Sequence, residues 1–253
     1  MFKKQDLNLI KEITLSEFKL KYKSSVLGFF WSLLKPLAML TTLYIVFRIF
    51  IKVDSENYSL FLLLGIILWN FFSESTVLGL NSIVSKSDIV KKLNFRSEVL
   101  VISACLVSLL SFTLNFIMFL IFFLFIKGLP SLSNILIIIP ILQLFLLSLG
   151  LSFILATVFV KFRDLGYLWE VLLQIGFWIS PIAYPPSIVP VKYMGLYILN
   201  PLSRIITSSR EIILNNQLPT FTITILSTMI IILILFLGYF IFRLNHKRFV
   251  EYL

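Results

Sequence analysis

The stretch of sequence that decides the fold is VLVISACLVSLLSFTLNFIMFLIFFLFI, residues 99–126, which contains no charged side chain. The hydrocarbon core of a bilayer is about 30 Å thick, and a helix of about 20 apolar residues crosses it. A water-soluble domain would have to leave part of such a run exposed, because much of any folded surface faces water. Residues 99–126 are therefore predicted to form a transmembrane helix.

The composition of the whole chain agrees with a membrane protein. Of its 253 residues, 59% are hydrophobic and only 13% are charged, whereas soluble domains are about 25% charged. The net charge of +10 could also indicate a protein that binds nucleic acid. Here, however, Lys and Arg lie in short clusters between apolar runs, the pattern that sets the orientation of membrane proteins. We expect no nucleic-acid partner.

Six apolar runs predict an all-α membrane protein with one transmembrane domain, residues 1–253, and six spans. None of the runs alternates with a period of two, so each is predicted to be a helix. The spans are expected at residues 27–50, 58–80, 99–126, 134–160, 168–183 and 221–242. The fifth is short and ends in a proline cluster, so residues 185–219 are predicted to re-enter the outer side without crossing.

The orientation follows from the distribution of basic residues. Fifteen Lys and Arg residues flank the side that holds both ends of the chain, and six flank the other side, with Lys35 set aside inside the first span. Basic residues collect in the cytoplasm, so both termini are expected there. An even number of spans requires both termini on one side, and six spans meet that requirement.

Neither a metal site nor an enzyme site can be identified in the sequence. One cysteine, Cys105, and one histidine, His246, exclude a disulfide within the chain and the usual zinc spacings. The sequence contains no G-x-x-x-x-G-K-[ST] loop for ATP. Glu74 and Glu170 lie in or at the edge of spans, close enough to the interface to reach it or to pair locally. We expect a protein without catalytic residues, metal or cofactor of its own, driven by energy from elsewhere.

Residues 6–23 are predicted to form an amphipathic helix along the membrane surface. Leu7, Ile10, Ile13 and Phe18 share one broad face at 3.6 residues per turn. Such a helix can anchor the chain to anionic lipid. It can also contact a partner protein or the phosphates of a lipid-linked substrate, and the sequence leaves both interpretations open.

The cytoplasmic connection NSIVSKSDIVKKLNFRSE, residues 81–98, is predicted to dock on a soluble partner. Ile83, Val84, Val90 and Leu93 can form an apolar ridge on a short helix with charged flanks. A ridge of this kind fits a groove on a partner protein. The alternative is a solvated connector whose charges only set topology.

Four blocks of sequence resemble the membrane subunits of type-2 ABC exporters that move lipid-linked polysaccharides, such as O-antigen, capsule and teichoic acid. They are KLKYKSSVLGFFWSLLKPL (19–37), NSIVSKSDIVKKLNFRSEVL (81–100), FRDLGYLWEVLLQIGFWISPIAYP (162–185) and ILNPLSRIITSSREIIL (198–214). The second block departs from the family pattern, because Arg96 and Val101 stand where the family usually has prolines.

The resemblance implies a homodimer in the bacterial cytoplasmic membrane, bound to two copies of a separate ATP-binding subunit that holds ATP and Mg²⁺. Its cargo would be a glycan on a polyprenyl diphosphate. By the same likeness, residues 81–98 would couple to the ATPase. The expected coupling residues are Asp88, Lys91 and Lys92, with a second contact at Lys161, Arg163 and Asp164. A plain topogenic turn is the alternative for the second contact.

The remaining site predictions combine the resemblance with the chemistry of the side chains. Lys21, Tyr22 and Lys23 lie at headgroup depth, where they could admit a lipid diphosphate or only anchor anionic lipid. Aromatic residues near span ends could line the glycan path or simply mark the interface; they are Trp31, Trp69, Phe72, Trp178 and Tyr184. Asn200 and Pro201 are predicted to start an outer helix. Arg204 and Arg210 on that helix would face the outer mouth or act as anchors.

Three other functions compete with this one. A type-2 exporter of a drug or another lipid would share the architecture. A membrane-embedded transferase would need convergent acidic or histidine residues, and the sequence offers none. A secondary carrier would need a charge pair at mid-membrane or an internal repeat, which are also missing.

Overall fold

The structure is a computed structural model that describes residues 4–23, 28, 30–52, 57–92, 96–193, 195 and 199–253, apart from the side chains at 92, 187, 191, 247 and 250. Within these ranges it contains helices and no strand. The α-helices are α1 (Lys4–Lys23), α2 (Phe30–Tyr44), α3 (Tyr58–Asn81), α4 (Ser87–Lys92), α5 (Glu98–Lys127), α6 (Ile138–Lys161), α7 (Leu165–Ile179), α8 (Pro201–Asn215), α9 (Phe221–Asn245) and α10 (Phe249–Tyr252).

Five helical segments are long and apolar enough to cross a membrane. They are Phe30–Phe50, in which α2 continues as a π-helical turn, Tyr58–Asn81, Glu98–Lys127, Leu132–Lys161, in which a 3₁₀ turn precedes α6, and Phe221–Asn245. Helix α7 is apolar but has only 15 residues, or about 22 Å at 1.5 Å per residue. These helices confirm the prediction of an all-α polytopic membrane protein.

Helix α3 is the centre of the bundle, packed between α5 and α6 with α2, α7 and α8 around it. Every residue from Leu60 to Trp69 is buried. A helix that is apolar on all sides belongs in the middle of a bundle. The half-buried stripe of α3 begins at Asn70 and runs toward the end of the helix at Asn81.

Helices α6 and α9 cross very closely because glycines meet at the crossing. A Cβ added to Gly238 would overlap the carbonyl group of Gly150, and one added to Gly150 would meet the backbone of Leu235. Small residues let transmembrane helices approach until their backbones touch. This crossing fixes α9 against the bundle with few buried side chains of its own.

The two ends of the bundle carry different elements. Helices α1, α4 and α10 lie at one end, together with the start of α5 and the end of α6, and we call this end the basic side. An apolar cluster there joins Ile83, Val90, Val160 and Phe249. The loop after α5 and the segment around α8 lie at the other end, the opposite side.

Helix α1 packs against α5, and its contact face differs from the predicted one. Ile10 and Thr14 are buried, the Ser103 hydroxyl donates to the Ile10 carbonyl at 3.4 Å, and Ile13 and Phe18 are half-buried. Leu7, which we placed on the apolar face, is 58% exposed. The face centred on Ile10 therefore packs on the bundle, and Asp6 and Glu17 of the same helix form ion pairs with Arg96 and Lys86.

Between α7 and α9 the described residues form two short 3₁₀ turns and helix α8. Helix α7 starts three residues before the predicted span and stops at Ile179, where Ser180 turns extended (φ −78°, ψ 147°), because a residue that precedes proline avoids the helical region. As predicted, α8 begins at Asn200, whose side chain accepts a hydrogen bond from the Leu202 amide at 3.0 Å. The buried face of α8 packs on α3 and α6.

Candidate functional site

A polar stripe on α3 forms one wall of a groove. Asn70, Ser73, Glu74 and Val77 are all half-buried, whereas Phe71, Phe72, Ser75 and Thr76 between them are buried. Positions i, i+3, i+4 and i+7 share one face of a helix. Three polar side chains therefore project from one face of an otherwise apolar helix. Helix α2 forms the opposite wall of the groove.

The groove holds a cavity of about 470 Å³ near the basic side, which we call the basic-side cavity. Lys21 and Tyr22 reach it from the end of α1, and Trp31 and Lys35 from α2. The remaining polar lining comes from Ser32, Asn70, Ser73, Glu74 and Asn115. Few pockets inside a transmembrane bundle carry two ammonium groups and a carboxylate, and charged groups within such bundles are usually functional.

The Lys21 ammonium is the centre of the charged network in this cavity. Its Nζ lies 2.6 Å from Oε1 of Glu74 and donates to the Ser111 hydroxyl at 2.8 Å. The Tyr22 hydroxyl lies 3.4 Å from the same Ser111 oxygen. The side chains of Lys21 and Glu74 are 34% and 31% exposed, so this pair faces the cavity. Glu74 thus pairs with a side chain of α1, which is one of the two alternatives that the sequence leaves open.

A second cavity, of about 810 Å³, continues the groove toward the opposite side, and we call it the aromatic cavity. It shares Asn70, Ser73 and Val77 with the basic-side cavity, so the two adjoin along α3. Residues of α7 complete its wall, including Glu170, Gln174, Phe177 and Trp178. A charged pocket thus opens into a largely apolar one.

Three of the predicted aromatic residues come together beside the aromatic cavity. The Trp69 ring lies 5.8 Å from the rings of Phe72 and Phe177, and Phe177 lies 5.2 Å from Trp178. Trp178 is 57% exposed and lines the cavity with Trp69. Phe72 is buried behind Trp69 and lines neither of the two cavities, which corrects its assignment to the path.

Tyr184 and Lys23 also differ from their predicted roles. The Tyr184 hydroxyl donates to the carbonyl groups of Trp178 and Ile179, at 3.1 and 2.8 Å. It therefore closes the end of α7 and does not line either cavity. Lys23 is exposed at the end of α1, whereas Lys21 and Tyr22 line the basic-side cavity. Of the three residues proposed for diphosphate access, two are brought to the same pocket.

Helix α4 presents charged side chains on the basic side. Asp88, Ile89 and Lys91 are exposed, while Val90 turns inward. The apolar cluster that holds Val90 includes Phe249, whose ring lies 5.1 Å from that of Phe242. The side chain of Lys92 and the whole of Leu93 lie outside the described residues. The structure thus gives α4 an anchored inner face and a free outer face.

Lys161, Arg163 and Asp164 are exposed at the turn between α6 and α7. The Lys161 ammonium lies 5.3 Å from the centre of the Phe162 ring and 5.8 Å from that of Tyr252. The Arg163 guanidinium lies 5.5 Å from the Phe159 ring. Cation–π contacts at exposed sites are weak, about 0.5–1 kcal/mol, so these cations can turn toward a partner.

Two ion pairs join α1 to the loop that carries α4. Glu17 pairs with Lys86, and Asp6 lies 3.9 Å from Arg96. These pairs hold the loop that carries α4 beside α1, whose last residues supply Lys21 to the basic-side cavity. The sequence singled out both segments, but it could not predict that they are tied together.

Arg210 is a structural residue on the opposite side. It is 5% exposed, and its guanidinium donates to the carbonyl groups of Phe61, Pro181 and Ile182. It also lies 3.4 Å from the centre of the Phe61 ring. Arg210 also lines a cavity of about 310 Å³ on this side, so its assignment to the outer mouth stays a prediction. Arg204 is half-buried on the same helix, and its assignment to the mouth stays a prediction.

Comparison with known proteins identifies the family. A model of the family described as "ABC-2 type transporter" matches residues 8–214. The chain is a member of the ABC-2 type transporter family. It is therefore a membrane component of an ABC transporter, and its family implies an ATP-binding partner subunit. The family resemblance read from the four sequence blocks is confirmed.

Relatives of this ABC-2 transporter align over nearly its whole length. Two proteins of Klebsiella pneumoniae named O-antigen export system permease protein RfbA are 34% and 33% identical to it, each over 97% of this chain and 95% of the relative. A Myxococcus xanthus protein of the same name is 26% identical over 96% of this chain and 94% of its own.

Sequence reasoning missed several residues of the ABC-2 transporter's groove. Asn70 and Ser73 share a helix face with Glu74 by their spacing, which is readable in the sequence, and Lys35 lies inside the first predicted span. Asn115 gave no signal, because a single amide in an apolar helix is most often a packing residue. Its Oδ1 is buried without a hydrogen-bond partner among the described residues.

Proposed function

We propose that this ABC-2 transporter exports a polysaccharide that is carried on a polyprenyl diphosphate, of the O-antigen, capsule or teichoic-acid type. The observation that carries the proposal is the order of the groove: a cavity with ammonium groups adjoins a cavity lined with tryptophan. A lipid-linked glycan has the same order, because its charged diphosphate joins the lipid to the sugars. The names of the relatives support the same cargo.

The chemistry of each cavity suits one part of this cargo. Ammonium groups bind phosphate oxygens by charge-assisted hydrogen bonds, and Lys21 and Lys35 supply two such groups in the basic-side cavity. A flat aromatic face such as that of Trp178, which is 57% exposed, buries a large area with only two side-chain torsions. Stacking on a flat ring does not require one fixed pose of the sugar, so successive sugars of a polymer can slide past such a face. Trp31 would lie at the start of this path.

The proposed complex contains two copies of this chain and two ATP-binding subunits in the bacterial cytoplasmic membrane. Both termini, and so the basic side, would face the cytoplasm. ATP and Mg²⁺ would be bound by the partner subunits, and this chain would act without a cofactor of its own. Two copies are needed because the groove of one chain is open to the side, and a facing copy would enclose it as a channel.

Transport of a lipid-linked glycan tests the substrate. The chain and its ATP-binding partner would be reconstituted in vesicles, and a lectin outside the vesicles would detect glycan that has crossed. We expect ATP-dependent crossing of glycan on an undecaprenyl diphosphate, and little crossing of hydrophobic drugs. The opposite ranking would favour the alternative, an exporter of a drug or another lipid.

Helix α4 and the turn at Lys161–Asp164 would dock on the ATP-binding subunit. Reversing the exposed charges in the double variant D88K/K91E should weaken copurification of that subunit about tenfold or more, because like charges across an interface are repulsive. Membrane insertion should be unchanged. The matched control is K192E, an exposed lysine on the opposite side. If D88K/K91E binds the partner as wild type does, the docking site lies elsewhere.

A further inference from the structure

A small cavity on the basic side lies where two membrane-spanning helices end. Its volume is about 220 Å³, and the ends of α6 and α9 form its walls together with α10. We call it the α10 cavity. It shares no lining residue with the basic-side cavity or with the aromatic cavity. The proposed path of the glycan therefore does not account for it.

Two cations line the α10 cavity, and no carboxylate among the described residues does. Lys161, the only charged residue of α6, ends that helix, and Arg248 directly precedes α10. Both are exposed, and neither forms an ion pair within the part of the chain that the structure describes. Glu251 of α10 is exposed and does not line the cavity. The cavity therefore favours an anionic ligand.

The direction of its side chain separates Lys161 from its neighbour Arg163. The Lys161 ammonium lies 5.8 Å from the centre of the Tyr252 ring, so it is turned toward α10. The Arg163 guanidinium lies 5.5 Å from the Phe159 ring instead, and Arg163 does not line the cavity. Two cations of one turn are thus directed to different places, and only Lys161 reaches the α10 cavity.

The neutral polar side chains from α6 and α9 in this lining already have hydrogen-bond partners. The Thr157 hydroxyl donates to the Phe153 carbonyl group at 2.7 Å. The Asn245 amide donates to the Ile241 carbonyl group at 2.8 Å. The two cations remain for a ligand, and their hydrogen bonds to a phosphate are of the strong, charge-assisted kind.

Apolar walls distinguish a lipid from a soluble anion as the ligand. The apolar side chains of the lining are Val158, Val160, Phe162, Ile241 and Phe249. A hydrated anion gains nothing from such walls, whereas a phospholipid can place its glycerol and the start of its acyl chains against them. Phe162 is 58% exposed and is available for such a contact. The cavity is smaller than the roughly 300–1,000 Å³ of sites for drug-sized ligands, so it suits a headgroup whose chains stay outside.

We infer that the α10 cavity binds the headgroup of an anionic phospholipid, with Lys161 and Arg248 contacting its phosphate. Basic pockets between transmembrane helices are known to bind such headgroups, and the end of a span lies near headgroup depth. The ligand is a lipid of the bilayer and not the cargo, so the inference does not depend on the proposed function. It assigns Lys161 to the lipid and leaves Arg163 and Asp164 for docking on the ATP-binding subunit.

A bound headgroup would also support the docking helix α4. Phe249 lines the cavity and belongs to the apolar cluster that contains Val90 of α4. A ligand that binds only the folded chain stabilises it by mass action. An anionic phospholipid should therefore raise the Tm of the chain.

Binding of defined lipids to the full-length chain tests the inference. The purified chain would be mixed with phosphatidylglycerol or with phosphatidylcholine of the same acyl chains, and bound lipid and Tm would be measured by native mass spectrometry and thermal melts. Phosphatidylglycerol should bind about fivefold or more tightly and raise the Tm further. Glycerophosphoglycerol, the same headgroup without acyl chains, should bind far more weakly because it does not use the apolar walls.

Two pairs of matched variants locate the bound lipid. K161Q and R248Q should each weaken binding of phosphatidylglycerol about fivefold, the contribution of one Lys or Arg near anionic lipid. R163Q and R243Q remove exposed cations that do not line the cavity, and they should leave binding unchanged. All four variants should melt like wild type in phosphatidylcholine, which verifies that they fold. K161R, which keeps the charge, should restore most of the binding.

Four results would overturn the inference. Equal binding of the two lipids would remove the preference for negative charge. Losses in R163Q and R243Q as large as those in K161Q and R248Q would indicate a diffuse attraction to the basic side. Tight binding of glycerophosphoglycerol would make the cavity a site for a soluble anion. If K161Q keeps its lipid but loses the ATP-binding subunit on copurification, Lys161 belongs to the docking contact. None of these results bears on transport of the glycan, so the proposed function would stand.

Discussion

Lys21 and Arg210 are two basic side chains in one bundle, and their surroundings are opposite. Lys21 is one-third exposed and contacts the side chains of Glu74 and Ser111 in a cavity. Arg210 is 5% exposed and contacts backbone carbonyl groups. A side-chain partner can turn away and a backbone partner cannot. The partner, more than the charge, therefore separates a residue that can bind a ligand from one that holds the fold.

The choice of residue type follows the same division. The arginine guanidinium is planar and presents five donors in a fixed fork, which suits carbonyl groups that arrive from α3 and from the turn after α7. The lysine ammonium is a compact charge on a flexible stem, which suits an exchange between Glu74 and a phosphate. Gly65 supports this division, because a Cβ there would overlap the Arg210 guanidinium.

The largest effect is expected from R210M. The variant removes hydrogen bonds from a charged donor to three carbonyl groups, each worth about 1.5–3 kcal/mol, and leaves those carbonyls without a donor. We expect a strongly reduced Tm in detergent and little folded protein in membranes. R204M changes a half-buried arginine of the same helix and should have a much smaller effect. If R210M is stable and loses only transport, Arg210 acts on the substrate at the outer mouth and is not needed for the fold.

The smallest effect on stability, and a large one on transport, is expected from K21Q. An ion pair that is one-third exposed contributes about 0–1 kcal/mol, so the Tm should stay within a few degrees of wild type. Transport of the lipid-linked glycan should fall about tenfold or more, because the diphosphate loses its first cation. K23Q, two residues along and outside the cavity, should retain most of the transport. If K21Q unfolds instead, Lys21 has a structural role like that of Arg210.

The sequence was sufficient where the physical constraint is local. A span needs a minimum length of apolar residues, so five long helices could be located from hydropathy alone, and Asn200 could be recognised as a cap from its own position before Pro201. The presence of Lys21, Tyr22 and Trp31 in one cavity agrees with their common place where an interfacial helix meets the first span.

The sequence was insufficient where a side chain finds its partner far along the chain. Arg210 donates a hydrogen bond to the carbonyl group of Phe61, 149 residues away. No local sequence pattern predicts such a contact. Phe72 and Trp69 both lie in the middle of α3 and are both 6% exposed, yet only Trp69 lines the aromatic cavity. The stripe from Asn70 to Glu74 is readable in the sequence, because positions 70, 73 and 74 share one face of a helix.

The apolar cluster behind α4 has a consequence for how the protein is made. Val90 reaches its partner Phe249 only after every span between them has been synthesised and inserted, because translation proceeds from the N-terminus. A nascent chain that stalls in the membrane before α9 therefore displays α4 without its support. The proposed docking helix would acquire its final position last, so an ATP-binding subunit could distinguish a finished membrane subunit from an interrupted one.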